Sequence, residues 1–152
     1  MAMQKFQVGA ILTVAVTIIV VSVLATSLLM AYQTIPNTGN VKAAGVGVYW
    51  NSNCTSNVTT INWGNLEPGA MVNLPVYIKN EGSVYVILNM TTENWNPAEA
   101  FSSITLSWNR ENHTLNLGEV VQAILTLEVS PDISGVTSFS FDIIITGTEQ
   151  ST

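Results

Sequence analysis

One change of hydrophobic pattern divides this chain into two parts. Residues 8–31 form an almost unbroken apolar run of 24 residues, and no charged residue occurs between Lys5 and Lys42. As a helix rising about 1.5 Å per residue, that run would reach about 36 Å, enough to cross a hydrocarbon core of about 30 Å. From Ala44 onward, apolar and polar residues alternate, which is typical of half-buried β-strands. The sequence therefore predicts one N-terminal transmembrane or signal helix followed by one all-β domain.

Three roles for the apolar run are compatible with its sequence. As an uncleaved signal anchor, it would have its cytoplasmic end marked by Lys5, since positive residues favour that side. As a cleaved signal peptide ending at Ala31, it is longer than the usual hydrophobic region and has the large Leu29 at the −3 position. As a pilin-like helix, it would pack in a filament core, although no pilin processing motif stands before it. The protein is therefore expected either as a single-pass cell-membrane protein with its C-terminal domain outside or as a secreted one.

Small residues recur along one side of this helix. Gly9, Thr13 and Thr17 are spaced four residues apart, and such spacing lets two membrane helices pack closely. The pattern permits an accessory subunit of a membrane complex, beside the simpler case of an isolated span in contact with membrane lipid.

The β domain is expected to be an immunoglobulin-like or jelly-roll-type antiparallel β-sandwich of about seven strands. The expected organisation is a cytoplasmic N-terminus at 1–7, the apolar segment at 8–31, a linker at 32–43, the domain at 44–148 and a tail at 149–152. Pro75 predicts that its strand lies at a sheet edge or bulge, and residues 80–83 read as a tight hairpin turn. Alternating positions predict strands at 44–50, 58–62, 72–79, 84–90, 104–108, 121–129 and 139–145.

A weak internal repeat links the two halves of this domain. The turn at 66–69 and the strand after it are echoed 49 residues later by the turn at 115–118 and its strand. We expect two structurally equivalent turn-and-strand units, one in each half of the sandwich.

Charge and composition exclude several classes of function. The net charge is −6, and the four cations, Lys5, Lys42, Lys79 and Arg110, form no cluster of the kind that nucleic-acid binding requires. One histidine and one cysteine cannot provide the three or four nitrogen and sulfur ligands of a zinc site. The acids are scattered, and His113 has only Glu111 close to it as an acid. We therefore expect a protein without cofactor that is not an enzyme.

Four triplets match the N-glycosylation acceptor, at Asn53, Asn57, Asn89 and Asn112. Attached glycans need solvent-facing sites. Three of these asparagines fall on predicted loops, and Asn89 lies on a strand opposite Leu88, so it should point outward. The alternative is an unmodified polar surface.

Cysteine and tryptophan leave further alternatives. Cys54 is either a free thiol on a loop or the source of an intermolecular disulfide, because a single cysteine cannot pair within the chain. Trp108 has the phase of a tryptophan buried between sheets. Trp95 either packs over the end of the core or offers a stacking platform for a sugar.

The turn and strand patterns give the chain a family resemblance. The spacings Leu66-x-Pro68-Gly69 and Val76-x-Ile78-x-Asn80-x-Gly82 are common in immunoglobulin-like modules of archaeal and bacterial envelope proteins. A hydrophobic leader followed by Thr38-Gly39-Asn40-Val41 is similar to the TasA/camelysin family and the related archaeal bundling pilins. This resemblance implies export and polymerisation by donor-strand exchange, in which one subunit's N-terminal strand completes the next subunit's sheet. The donated segment would be 41–50, including Val41, Val46, Val48 and Trp50.

The sequence supports three functional hypotheses, given in order of preference. The leading hypothesis is a non-enzymatic, membrane-anchored cell-surface protein that presents its sandwich for structural or adhesive contacts, with self-association or envelope proteins as partners. The first alternative is a secreted filament subunit of the cell envelope, and the second is the accessory subunit of a membrane complex.

Overall fold

The structure is a computed structural model and describes residues 37–149. The expected membrane or signal helix, its packing candidates Gly9, Thr13 and Thr17, and most of the expected tail lie outside the described residues. Within 37–149, no helix has the length and apolar character needed to cross a membrane.

The described residues form an all-β sandwich of two sheets. One sheet has five strands in the order β3-β1-β9-β5-β7, and the other has four in the order β2-β4-β8-β6. A short 3₁₀ helix, Ala98–Ser102, connects β5 to β6. The strands are β1 (Asn37–Ala44), β2 (Gly47–Tyr49), β3 (Thr60–Gly64), β4 (Met71–Lys79), β5 (Val86–Asn96), β6 (Ile104–Trp108), β7 (Thr114–Leu115), β8 (Val120–Val129) and β9 (Ser140–Glu149).

The core lies between the sheets and follows the alternation in the sequence. On β9, Phe141, Ile143 and Ile145 are buried and face the second sheet. They meet Val76 and Ile78 of β4 and the alternating residues of β8 in one continuous cluster. Because side chains alternate across a strand, the intervening positions face outward. The inward assignment of residues 139–145 made from the sequence is thus confirmed.

Each of the seven expected strands corresponds to an observed strand, but the structure adds two. β1 occupies residues assigned to the linker 32–43, and β7 is a two-residue strand after the loop at Asn112. The segment 44–50, expected as one strand, is instead the end of β1, a bend and β2. Both additions belong to the five-stranded sheet.

The connection after β4 also differs from its expectation. Residues 80–83 do not close a hairpin, since β4 and β5 belong to different sheets. The turn therefore crosses from one layer to the other. Val84, expected on the buried face of a strand, lies before β5 and is 42% exposed.

The two halves of the sandwich share one topology. The first half is β2–β5 and the second is β6–β9. If each strand is replaced by its counterpart, the order β2-β4-β8-β6 becomes β6-β8-β4-β2, which is the same order read from the other edge of the sheet. Pro75 pairs with Ile124 across β4 and β8, and these two residues are 49 positions apart. Glu93 and Asp142, paired across β5 and β9, are separated by the same 49 positions. A pseudo-two-fold axis therefore passes through both sheets at these pairs.

The turns before β4 and β8 are equivalent, as the 49-residue repeat predicts. Ala70 N donates to Glu67 O at 2.9 Å, and Glu119 N donates to Asn116 O at 3.1 Å. The third residue of each turn is a glycine at positive φ, 80° for Gly69 and 68° for Gly118. This is the conformation that a type II turn requires. Because β4 and β8 are antiparallel, the two turns lie at opposite ends of the sandwich.

We call these ends the base and the tip. The base is the end where the chain enters at Asn37 and carries the loops 65–70, 97–103 and 130–139. The tip carries the loops 80–85 and 116–119.

The tryptophan buried most deeply between the sheets is Trp63, although Trp108 packs against the core as its phase predicts. Trp63 on β3 is 4% exposed, whereas Trp108 lies half-buried on the edge strand β6 and donates its Nε1–H to the Glu111 carboxylate at 2.6 Å. Trp95 packs over the base of the core, because its ring is stacked on Phe141 with centroids 4.1 Å apart. Of the two roles considered for Trp95, core packing is thus the one observed.

Candidate functional site: the N-terminal strand and its slot

β1 fills a slot between β3 and β9 in the five-stranded sheet. It pairs antiparallel with β3 on one side and parallel with β9 on the other. The parallel ladder runs from Thr38 opposite Ser140 to Ala44 opposite Thr146. The first strand of the domain is therefore bonded on both edges over residues 38–41 and paired with β9 alone over 42–44, although it has the weakest apolar pattern of the long strands.

The inward side of β1 fits closely against the core. A Cβ atom placed on Gly39 would lie 3.1 Å from Ile143 Cδ1 and 3.3 Å from Trp63 Nε1. Only glycine fits there without moving a neighbour, because core side chains are packed to crystal-like density. The indole N–H of Trp63 is buried beside this glycine and has no hydrogen-bond partner among residues 37–149.

The first residue of β1 joins three elements at the base. The side chain of Asn37 donates to Gly64 O at 3.1 Å and accepts from Phe139 N at 3.2 Å. Asn37 is only 7% exposed, and its amide oxygen satisfies the buried N–H of Phe139. The start of the strand is thereby fixed to β3 and to the entry of β9.

The outward side of β1 carries the ion pair of the described residues. Lys42 Nζ lies 2.6 Å from Asp142 Oδ2, which also accepts from Asn94 Nδ2 at 2.7 Å. Asn40 adds a longer bond of 3.4 Å to the other carboxylate oxygen. The hydrogen bond from Lys42, followed by that from Asn94, lowers the pKa of Asp142 below its usual value. This carboxylate joins β1, β9 and β5 on the outer face of the sheet.

At the tip, β1 leaves the sheet through a tight crossing. Gly45 has φ of 75°, and a Cβ there would lie 2.5 Å from the carbonyl oxygen of Gly147. Gly147 is equally confined, since its own Cβ would lie 2.7 Å from Val46 Cγ1. Two glycines thus allow the chain to pass from one sheet to the other within two residues.

The residues named for the donor strand separate into two groups. Val41 lies on β1 and packs against the core, whereas Val48 lies on β2 and pairs with Ile78 in the other sheet. Val46 is buried in the crossing, and Trp50 is 39% exposed beyond β2. The segment 41–50 is therefore divided between both sheets of its own domain.

The four sequon asparagines surround the sandwich between its two ends. Asn53 and Asn57 are exposed on the loop between β2 and β3, and Asn112 is exposed on the loop before β7. Asn89 lies half-buried on β5, opposite Thr146 of β9. The base and tip loops contain none of the four.

The remaining residues singled out in the sequence do not assemble into a site. Cys54 is a half-buried free thiol with φ of 53°, and its Sγ lies 3.7 Å from Ser52 O. His113 is half-buried, and its Nε2 has no hydrogen-bond partner among the described residues. Within 37–149, no three histidine, cysteine or acidic side chains lie close enough together to hold a metal ion. A cleft of about 130 Å³ opens at the base beside Asn37 and Phe139.

Comparison with known proteins adds no family. The sequence matches no protein-family model and no curated protein.

Proposed function

We propose that this protein is a non-enzymatic cell-surface protein whose apolar segment, 8–31, anchors it in the cell membrane. The β-sandwich would be displayed outside the cell and would make structural or adhesive contacts. We assign the sandwich to the immunoglobulin-like class. Its two sheets are otherwise antiparallel, and its N-terminal strand runs parallel to its C-terminal strand.

The observation that carries this proposal is the way β1 is held. Five residues separate the apolar segment from Asn37, so any load on the membrane segment reaches the domain through β1. β1 is enclosed by two strands, fixed at its start by Asn37 and joined to β9 through Asp142. An attachment strand at an open edge would be easier to peel away, since it would have hydrogen bonds on one side only.

The test is the fate of the apolar segment in the native cell. Intact mass and the N-terminal peptide of the purified protein would show whether residues 8–31 are retained, and carbonate extraction would show whether the protein stays with the membrane. We expect a retained segment and a carbonate-resistant protein. A mature chain that begins near Tyr32 and is released into the medium would refute anchoring.

A filament subunit is the second candidate, and one observation favours it specifically. β1 is the only described strand outside the two equivalent four-strand units, and it fills a slot between β3 and β9. A strand of this kind is chemically suited to exchange between copies, because each copy would supply the same side chains to the same slot. The two-residue crossing at Gly45 would then be the hinge between the donated strand and its own domain.

Cysteine cross-linking distinguishes the two candidates. Changing Cys54 to Ser and placing cysteines at Val41 and Ile143, which are paired across β1 and β9, gives a disulfide within one chain in the anchored protein. In an exchanged filament, the same disulfide would join neighbouring chains into a ladder on a non-reducing gel. Moving the second cysteine to the exposed Thr105 provides the control that should not cross-link.

A further inference from the structure

The tip of the sandwich carries a cluster of exposed apolar side chains. Val84 and Tyr85 lie in the loop before β5, and Leu117 and Val120 lie in the turn before β8 and at its start. These four residues, which we call the tip patch, are 42%, 40%, 61% and 38% exposed. Exposed apolar residues that occur singly are ordinary, but contiguous ones mark interaction sites.

Two contacts bring the two loops of the tip patch together. Asn80 is 1% exposed and donates from its Nδ2 both to Val84 O at 2.7 Å and to Leu115 O at 3.1 Å. β5 and β7 pair Val86 with Leu115, so the loop before β5 and the turn after β7 start from adjacent residues of the sheet. The patch is therefore held in place by a buried amide rather than formed by a free loop.

The charges around the tip patch are mostly negative. Glu81 and Glu149 are exposed, and the Glu81 carboxylate accepts a hydrogen bond from the Tyr49 hydroxyl. Glu119 stands directly before Val120. Two hydrogen bonds from Asn116 lower the pKa of Glu119 below its usual value. Lys79 is a half-buried cation at the same end, paired with Val120 across β4 and β8.

We infer that the tip patch is a docking surface for a cationic, apolar polypeptide segment on another protein. Valine, tyrosine and leucine side chains would receive the partner's apolar residues, and the three carboxylates would meet lysine or arginine at the rim. Charge complementarity of this kind accelerates association and fixes the orientation of a partner. A second copy of this chain fits poorly, because a tip-to-tip contact would oppose two acidic rims.

The position of the tip patch supports this assignment. It lies at the opposite end of the sandwich from Asn37, where the chain enters, and the sequons lie between the two ends. The inference rests on the proposed function in one respect: the domain must be displayed outside the cell for its tip to meet other envelope proteins.

The test uses the full chain in dodecyl maltoside micelles, so that failure of membrane anchoring in the cell does not affect it. The probe is a fluorescent twelve-residue peptide of alternating lysine and leucine, measured by fluorescence anisotropy. Matched peptides replace lysine by glutamate or leucine by serine. We expect saturable binding of the lysine–leucine peptide alone, with Kd in the micromolar range.

Variants locate the binding site. Leu117→Ser should raise Kd at least tenfold without changing the melting curve, since this side chain is largely exposed. The double variant Glu81→Gln with Glu149→Gln should raise Kd severalfold. Met71→Ser, at the equally exposed residue near the base, is the control that should leave Kd unchanged. Equal binding by Leu117→Ser, or no saturable binding, would overturn the inference. Dimerisation in sedimentation velocity that Leu117→Ser abolishes would assign the patch to a second copy instead.

Discussion

The two halves of the sandwich, β2–β5 and β6–β9, have the same strand order but differ at the margins of the five-stranded sheet. In the first half, β3 is separated from β9 by β1, whereas in the second half β7 pairs directly with β5. β1 pairs with residues 140–146 of β9, and the equivalent stretch of β5, 49 positions earlier, is 91–97. No described strand pairs with that stretch on its outer side.

In the second half, the equivalent edge of β5 has no added strand and is protected by a bulge and a carboxylate. The register of β5 shifts between Glu93 and Asn96, and Asn94 adopts a φ of 54°. Just before this bulge, the Glu111 carboxylate accepts from Met90 N at 3.3 Å. Bulges and charged side chains are common protections of an open strand edge, because they prevent a further strand from pairing. The comparison shows that one framework can either receive an extra strand or exclude it.

The largest expected effect concerns the crossing that ties β1 to the first half. Gly45→Ala should lower the free energy of unfolding by about 3 kcal/mol or more, because it combines positive φ with a Cβ only 2.5 Å from a carbonyl oxygen. Gly118→Ala is the matched change in the second half, since Gly118 also has positive φ but would have no atom within 4 Å of its Cβ. It should cost about 1 kcal/mol. Urea unfolding of the full chain in detergent measures both, and equal losses would contradict the crowding at Gly45.

The turns that follow β4 and β8 offer the next comparison. Asn80 accepts from Gly82 N and Ser130 accepts from Asp132 N, so the two side chains make the same local bond. Asn80 additionally satisfies Leu115 O in the buried interior. Asn80→Ala should therefore cost about 2 to 3 kcal/mol, and Ser130→Ala less than about 1 kcal/mol. The same unfolding assay tests this, and a Ser130→Ala loss as large as that of Asn80→Ala would refute the asymmetry.

The closeness of β1 to the core provides a third comparison. Gly39→Val should cost about 1 to 3 kcal/mol, because its side chain would displace Ile143 and Trp63 or push the strand outward. Ala43→Val, on the same strand at an exposed position, is expected to change stability by less than about 0.5 kcal/mol. Hydrogen exchange adds a local readout: amides of β1 should lose protection in Gly39→Val before those of β4 and β8. Uniform loss across both sheets would argue against a displaced strand.

The smallest expected effect is that of the ion pair on the outer face of β1. Because the pKa of Asp142 is lowered in the folded state, its charged form stabilises the fold above the unfolded-state pKa of about 3.9. That contribution is lost as the pH falls through the folded-state pKa. Asp142→Asn should accordingly lower Tm at pH 7, and the difference from the parent protein should shrink below about pH 4. Glu93→Gln, at the equivalent exposed position on β5, is the control. A difference that stays constant with pH would exclude the ion pair as its cause.

The sequence predicts the strands whose inward residues are apolar and fails where they are not. Leu127 on β8 and Phe141 on β9 each stand between two polar residues, and this alternation predicts both strands. The first inward positions of β1 are Asn37 and Gly39, so its sequence predicts a linker instead. Hydrophobic periodicity cannot detect a strand whose contribution to the core is an amide and a close backbone approach.

Other differences have an equally local cause. The residues 80–83 carry ordinary turn signals, and such signals do not reveal whether the following strand stays in the same sheet. The deeper burial of Trp63 than of Trp108 depends on β1 and β3 being neighbours, which is a long-range property. The sequence does not indicate the tip patch, because Leu117 belongs to a turn and the alternation places Val84 on a strand. The apolar residue at the second position of the turn is the available signal.

The orientation of β1 has a mechanical consequence. It runs from the base to the tip, with four positions paired to β3 and seven to β9. Tension applied at Asn37 while the tip is held would act along the strand, and so across all of these hydrogen bonds at once. Ladders loaded in this shear direction share the force, whereas a strand pulled sideways opens one bond at a time. A domain attached in this way would resist tearing from the surface that carries it more strongly than its modest size suggests.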